Sequence, residues 1–431
     1  MQHRDERSGA RRDGRRGRQE HVDSFLRLGY FVDYDENRYP IDYSRIDKPR
    51  YASTPREELI RLGAVILQET FDQLWTPGRD NVVPLSGGLD SRLILGALLE
   101  HTEARSLHTY TFGVPGSYDY EIGCRVAREV GTRHVALPMD AISWHRDELI
   151  EVARREDCQA VLFYNQPLRV VEALYQGAVF WSGYVGDVVA GSHCHDPPSP
   201  TLEEAKRRYL RSRRVVKSVQ LWRGEDDDLL PWIAGGGLPP ETMTWDEQVL
   251  FEEAGSKFVV PHVLWKGFEY QTPLINSPWM DFMFSVPDRL RHGEALMIDI
   301  ARAAFPALFD LPSKNRLGHS FRTPDAVVRA TFWLNRARKV AHRIVPAVNW
   351  PNAQYSDFNE EIRTRRDLRE IVRGGLEGVK RRGICDWVDV DGLWNRHIRR
   401  IRNHADALVA LASLDLVLEA RESGGAEEGA G

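Results

Sequence analysis

A strand that runs through paired glycines into a helix commits a chain to a wound α/β sheet, and residues 81–101 (NVVPLSGGLDSRLILGALLEH) carry that pattern. Val82 to Leu85 read as a strand, Ser86 to Ser91 as a loop and Arg92 to Glu100 as a helix. Pro84 removes a ladder donor, so the strand must be nearly finished there. The alternation continues with a strand in LHTYTFGV, a helix in YEIGCRVAREVG closed by Gly131, a strand in RHVALPM and a later strand in AVFWSGYVGD. The expected fold is therefore α/β, a doubly wound, mostly parallel sheet. Ligands on such sheets sit at the carboxyl ends of the strands.

The loop itself, Ser86-Gly87-Gly88-Leu89-Asp90-Ser91, has the chemistry of a phosphate site. Small residues between strand and helix form a nest of backbone N–H groups, and the helix start adds a positive dipole end. Gly87 and Gly88 let phosphate oxygens approach the backbone, and Ser86 and Ser91 supply hydroxyl donors. Asp90 offers a hard oxygen for Mg²⁺ held on phosphates. With no lysine, the loop is not the GxxxxGK[ST] type.

The flanks are simpler. Residues 1–22 are Arg-, Gly- and Asp-rich and read as a disordered basic arm, and 421–431 as a disordered tail. Phe25 to Tyr51 is aromatic and irregular, like a chain laid over a domain surface. It leads into an amphipathic helix with Leu59, Leu62, Val65, Ile66 and Phe71 at helical spacing, so 23–80 is a lead-in to a catalytic domain at 81–320. Residues 321–420 form a helical C-terminal layer in which the basic stretch Arg336 to Arg343 reads as a helix with one wet side. With 58 Lys+Arg against 63 Asp+Glu, the balance argues against a dedicated nucleic-acid binder. No apolar run reaches membrane-spanning length, and four scattered cysteines form no pairing pattern, so a cytoplasmic protein is expected. His193-Cys194-His195-Asp196 has ligand-type residues, but neighbours on one loop seldom converge, and zinc is not expected. Glu225 to Asp228 reads as a solvated loop.

The loop matches the SGGxDS signature of PP-loop ATP pyrophosphatases, with the adenine nucleotide α-hydrolase-like fold. Four further segments narrow the resemblance. FGVPGSYDYEIGCRVAREVGTRH is similar to the segment after this loop in asparagine synthetase, and Ser182 to Asp187 (SGYVGD) resembles SGEGxDE. Glu269 to Asn276 (EYQTPLIN) resembles EARVPFLD, followed by FSVPDRL, and Pro312 to Gly318 (PSKNRLG) resembles the downstream lysine segment. The resemblance spans residues 55–320 and points to the synthetase domain of the asparagine synthetase family.

That resemblance implies roles. Ser86, Gly87, Gly88, Asp90 and Ser91 would hold the pyrophosphate portion of ATP, with Leu85 and Phe112 flanking adenine and Ser182 and Gly183 on the other side of the nucleotide. Asp90 and Asp187 would be Mg²⁺ ligands, and Lys314 the cation that stabilises the leaving pyrophosphate. Tyr184 replaces the glutamate of SGEG and, with Glu269, resembles the Tyr–Glu pair of β-lactam synthetase, a base for an attacking amine. Gln2 stands where the family's glutaminase nucleophile would be, and 85 residues before the loop are too few for that domain, so no glutamine hydrolysis is expected. Nitrogen would come from free ammonia, a separate glutaminase partner or an amine. Val188 and Asn276 replace family acids, which weakens aspartate as the acceptor.

The expected activity is an ATP- and Mg²⁺-dependent, AMP-forming amide synthetase: aspartate to asparagine by default, a specialised acid–amine pair by preference. Two alternatives are an RNA-modifying ATP pyrophosphatase using the basic arm, and a non-catalytic nucleotide-binding partner subunit.

Overall fold

The computed structural model describes residues 22–36, 38–344 and 357–428. The expected basic arm therefore lies outside the described residues, apart from residue 22. The sheet has five strands: β1 (Asn81–Pro84), β2 (His108–Gly113), β3 (Arg133–Pro138), β4 (Val179–Trp181) and β5 (Glu269–Gln271). Their order is β3-β2-β1-β4-β5, and every pairing is parallel. The chain moves outward from β1 through β2 to β3, then returns to β1's other side as β4. The reversal opens a crevice at the carboxyl ends of β1 and β4.

Pro84 is the last residue of β1, and the ladder resumes at once, with Leu85 N donating to Tyr110 O at 2.8 Å. Proline in the central strand thus sacrifices only its own donor. Helix α1 (Arg56–Leu74) places Glu57 and Glu58 in its first turn, where the dipole favours them, and buries Leu59, Ile66, Leu67 and Phe71. Phe71 stacks on Trp181 of β4, centroids 5.4 Å apart. Val65, expected on the buried stripe, is 55% exposed. Helix α2 (Asp90–Leu98) starts at Asp90, two residues before the position read from sequence. Helix α3 (Tyr118–Val130) is capped by Ser117 and ends at Gly131, whose φ of 82° lies in the left-handed region that glycine adopts freely.

The start of the lead-in is not laid over a surface, whereas residues 33–36 and 38–50 are exposed or half-buried. A helix at 22–28 starts it, and Phe25, Leu26, Tyr30 and Phe31 are almost fully buried. Arg27 is buried with them, paired with Asp226 at 2.9 Å and lying over the Trp222 ring. Residues 226–229 are helical rather than loop, the turn being started by Asp228 Oδ2 accepting from Glu225 N at 2.9 Å. The first core gathers residues around the sheet, from Tyr51 to Phe309. A second core joins Phe25 and Phe31, Leu162 and Phe163, and the C-terminal helices Arg366–Arg382 and Ala405–Glu428. The helical layer is therefore not built from C-terminal residues alone. Residues 421–428, read from sequence as disordered tail, continue the last helix: Arg421 lies over the Phe31 ring and Glu422 pairs with Arg382 at 2.5 Å. Residues 429–431 lie outside the described residues. Among the described residues, no helix is long and apolar enough to cross a membrane.

Candidate active site

A cavity of about 400 Å³ opens in the crevice between β1 and β4. One wall is the Ser86–Ser91 loop. The loop is self-braced: Ser86 N donates to Ser91 Oγ (3.2 Å), Gly88 N to Ser86 Oγ (3.1 Å) and Gly87 N to Asp119 Oδ1 (3.2 Å). These three donors, expected open for phosphate, already have acceptors that an incoming anion would replace. Helix α2 has no side-chain cap, so its first-turn N–H groups are the donors left for an anion.

Lys314 reaches the loop from outside the sheet. Its backbone N donates to Gly87 O (2.9 Å) and its Nζ pairs with Asp119 at 2.8 Å. A Cβ on Gly87 would sit 2.9 Å from Tyr118 O and 3.3 Å from Lys314 Cβ, so the close seat requires glycine. The lysine segment is clamped by Arg92, fully buried on α2, which donates to the carbonyls of Leu308, Leu311 and Pro312 at 3.2, 3.0 and 2.5 Å. One helix thus follows the Ser86–Ser91 loop and carries the anchor for the lysine.

The second wall follows β4. Ser182, Gly183, Tyr184 and Asp187 line the cavity with Asp90. Helix α4 (Gly186–Ala190) begins there, and Asp187 lies in its first turn. A Cβ on Gly183 would fall 2.6 Å from Asp90 Cβ, so glycine is what lets the two loops meet. Burial, with Asp187 and Glu294 nearby, pushes the Asp90 carboxyl well above its ordinary range, while Lys314 pulls it back. Asp90 Oδ1 is buried with no protein partner. Burial also raises Asp187, but His193 (3.6 Å) and the Ser192 hydroxyl (3.2 Å) more than offset it, leaving that carboxyl below the ordinary range. Burial first, then Asp187, pushes Glu294 up to about 7.

The orphaned Asp90 oxygen beside a second carboxylate leaves oxygen acceptors open to a cation. Among the described residues, no group of three or more His, Cys, Asp or Glu is close enough to hold a metal unaided. Two carboxylates suit a hard cation that keeps waters and takes its other oxygens from phosphates. His193 and Cys194 diverge, the ring toward Asp187 and the thiol toward Glu247 (3.7 Å).

Three sequence-derived assignments are not met. Leu85 is buried in the core beside the sheet and does not line the cavity. Phe112, at the end of β2, does line it. Glu269 is the first residue of β5, registered with Val179 at the start of β4, and so lies at the wrong end of the strands. Its carboxylate is 54% exposed and paired with Arg79 at 2.7 Å. Tyr184 is buried, beside Tyr39 and Tyr43, and burial drives its hydroxyl pKa far up. The Tyr184–Glu269 pair is therefore not assembled. Asn276 closes its own turn, Nδ2 donating to Thr272 O at 2.9 Å.

Asp119, Arg92 and Glu294 escaped the sequence reading as functional groups. Only Asp119 carried a signal, its place in the quoted segment after the loop. The buried positions of Arg92 and Glu294 have none.

Residues 80–233 match the family model described as asparagine synthase. Two curated proteins of Arabidopsis thaliana are similar. Glutamine-hydrolyzing asparagine synthetase 3 is 23% identical over 354 residues, covering 70% of this chain and 58% of that protein. Glutamine-hydrolyzing asparagine synthetase 2 is 24% identical over 317 residues, covering 62% and 52%. The chain spans just over half the length of these relatives.

Proposed function

We propose that the asparagine-synthase-type region at 80–233, with the lysine segment docked on it, makes this chain an ATP-dependent, AMP-forming amide synthetase. The observation that carries the reading is the convergence of the Ser86–Ser91 loop, the Asp90–Asp187 pair and Lys314 at one switch-point crevice. The α2 N-terminus and the serines bind the outer phosphates of ATP, with Ser182 and Gly183 on the nucleotide's other side and Phe112 beside the base. Asp90 and Asp187 would hold Mg²⁺, whose chemistry is to neutralise phosphate charge. A carboxylate in the cavity attacks the α-phosphate, and the Lys314 ammonium stabilises the charge that develops on pyrophosphate as it leaves. A nitrogen nucleophile then attacks the acyl carbon and AMP departs.

The acceptor side favours a specialised acid–amine pair over aspartate. Tyr164, Val259, Val263 and Tyr270 line that part, and among the described residues lining the cavity none is lysine or arginine. A dicarboxylic amino acid would find no lysine or arginine among those lining residues to pair its α-carboxylate. Free ammonia, a partner glutaminase or an amine supplies the nitrogen.

Carboxylate-dependent ATP–pyrophosphate exchange tests the reading. Aromatic and aliphatic acids are expected to support exchange better than aspartate; exchange with none of them would overturn it. The self-satisfied loop donors favour a second reading, a non-catalytic nucleotide-binding subunit, which predicts ATP binding without exchange.

A further inference from the structure

The cavity extends from the phosphate loop to Val259, His262 and Val263, and His262 is the imidazole among the groups that line it. Its Nδ1 lies 3.0 Å from Glu156 Oε1, 106 residues away in sequence. Glu156 is fully buried and also accepts from Trp265 Nε1 at 3.2 Å, while its Oε2 has no partner. The ring stacks on Phe258, centroids 5.5 Å apart at 17°, and its side chain is 20% exposed. A carboxylate only accepts, so Nδ1 carries the ring proton and Nε2 is left as a basic nitrogen. A cavity-facing imidazole held in one tautomer by a buried carboxylate is the arrangement by which proteins take protons at neutral pH.

We propose that His262, oriented by Glu156, is the base that deprotonates the nitrogen nucleophile in the amide-forming half-reaction. The inference rests on the adenylating function proposed above and assigns the role that Tyr184 and Glu269 cannot fill together. In the step, the nitrogen lone pair forms the C–N bond and an N–H proton passes to His262 Nε2. The bond from the acyl carbon to the phosphate oxygen breaks, AMP leaves with the electron pair, and the imidazolium returns its proton to solvent. Burial raises the Glu156 carboxyl above its ordinary range, and its hydrogen bonds with His262 and Trp265 pull it only part of the way back. The other ionisable groups around the ring do not compete. Tyr184 and Tyr270 are held protonated by burial. Arg38, which donates to Val260 O on the helix carrying His262, is paired with Asp157. Tyr164 is likewise raised by burial, to about 12.

The test compares the two half-reactions in the full chain with an acid that supports exchange. His262→Asn keeps a donor for Glu156 and removes Nε2; Glu156→Gln keeps the shape and removes the charge. His262→Asn is expected to slow amide formation about 100-fold or more relative to ATP–pyrophosphate exchange measured with the same acid. The acidic limb of the amide pH–rate profile should vanish, and added imidazole should restore part of the rate. Glu156→Gln is expected to retain that limb with a rate about tenfold lower. Equal loss of exchange and amide formation in both variants, or amide formation within about threefold of the unsubstituted chain with the limb intact, would overturn the proposal. Absence of exchange in the unsubstituted chain would overturn the adenylation reading and this inference together, whereas exchange with an unaltered amide step in His262→Asn overturns only the latter.

Discussion

The two ends of the cavity are built differently. At the end proposed to take phosphate, small residues close to the backbone meet in loops that follow β1 and β4, braced by Arg92 and Asp119. At the end proposed to take the acceptor acid, the cavity is lined by large side chains from four separate segments, Tyr164, Tyr184, His262 and Tyr270. Phosphate chemistry needs N–H groups and fixed charges at set positions, which leaves little freedom in the residues that form them. A pocket for an organic acid needs only shape and a few polar contacts, so its residues can change with the substrate.

Removing a fixed charge from the phosphate end should have the largest effect on rate. Lys314→Ala is expected to slow pyrophosphate exchange about 100- to 1000-fold while the melting temperature holds, because one preorganised contact to a developing charge is lost. Crowding the meeting of the loops is next. Gly183→Ala brings a methyl to within 2.6 Å of Asp90 Cβ, and overpacking of this kind costs about 1–3 kcal/mol, read as weaker ATP binding and a lower denaturation midpoint.

The helical layer far from both ends gives a smaller, pH-dependent effect. Burial, helped by Arg363 and His404, pushes His397 down to about 4, and its Nδ1 accepts from His404 N at 3.2 Å. An unfolded chain takes up that proton below its ordinary value of about 6.5, and the folded chain does so only near 4. The stability tied to the neutral ring is therefore full above pH 6.5 and is lost as pH falls toward 4. Screened for solvent, the loss at pH 5 is about 1 kcal/mol, and denaturant midpoints should show it flattened in His397→Gln. Glu269→Gln should have the smallest effect. The Arg79 pair is exposed, so exchange and amide formation should both stay within about twofold. A large, selective loss of the amide step would restore Glu269 to the acceptor end.

What the sequence made legible divides along the same line. The strand, loop and helix at 81–98 and the stop at Gly131 were readable because glycine placement and apolar periodicity act over a few residues. So was the parallel sheet, since alternating elements leave few other topologies. The burial of Phe25 and Phe31 was hidden, because their partners lie more than 100 residues downstream. The Glu156–His262 contact was hidden for the same reason. Glu269 was misplaced because a motif match fixes a residue's position in the chain but not which end of a strand faces the cavity. Asp119 shows the middle case: it lay in a matched segment, but its bonds to both Gly87 N and Lys314 Nζ required the structure.

The most direct test of the central claim is the identity of the products from α-³²P-labelled ATP, turned over with an acid that supports exchange. An adenylating chain releases labelled AMP and an equal amount of unlabelled pyrophosphate, and turnover is abolished in Asp90→Ala. Labelled ADP with free phosphate, or undiminished turnover in Asp90→Ala, would contradict it.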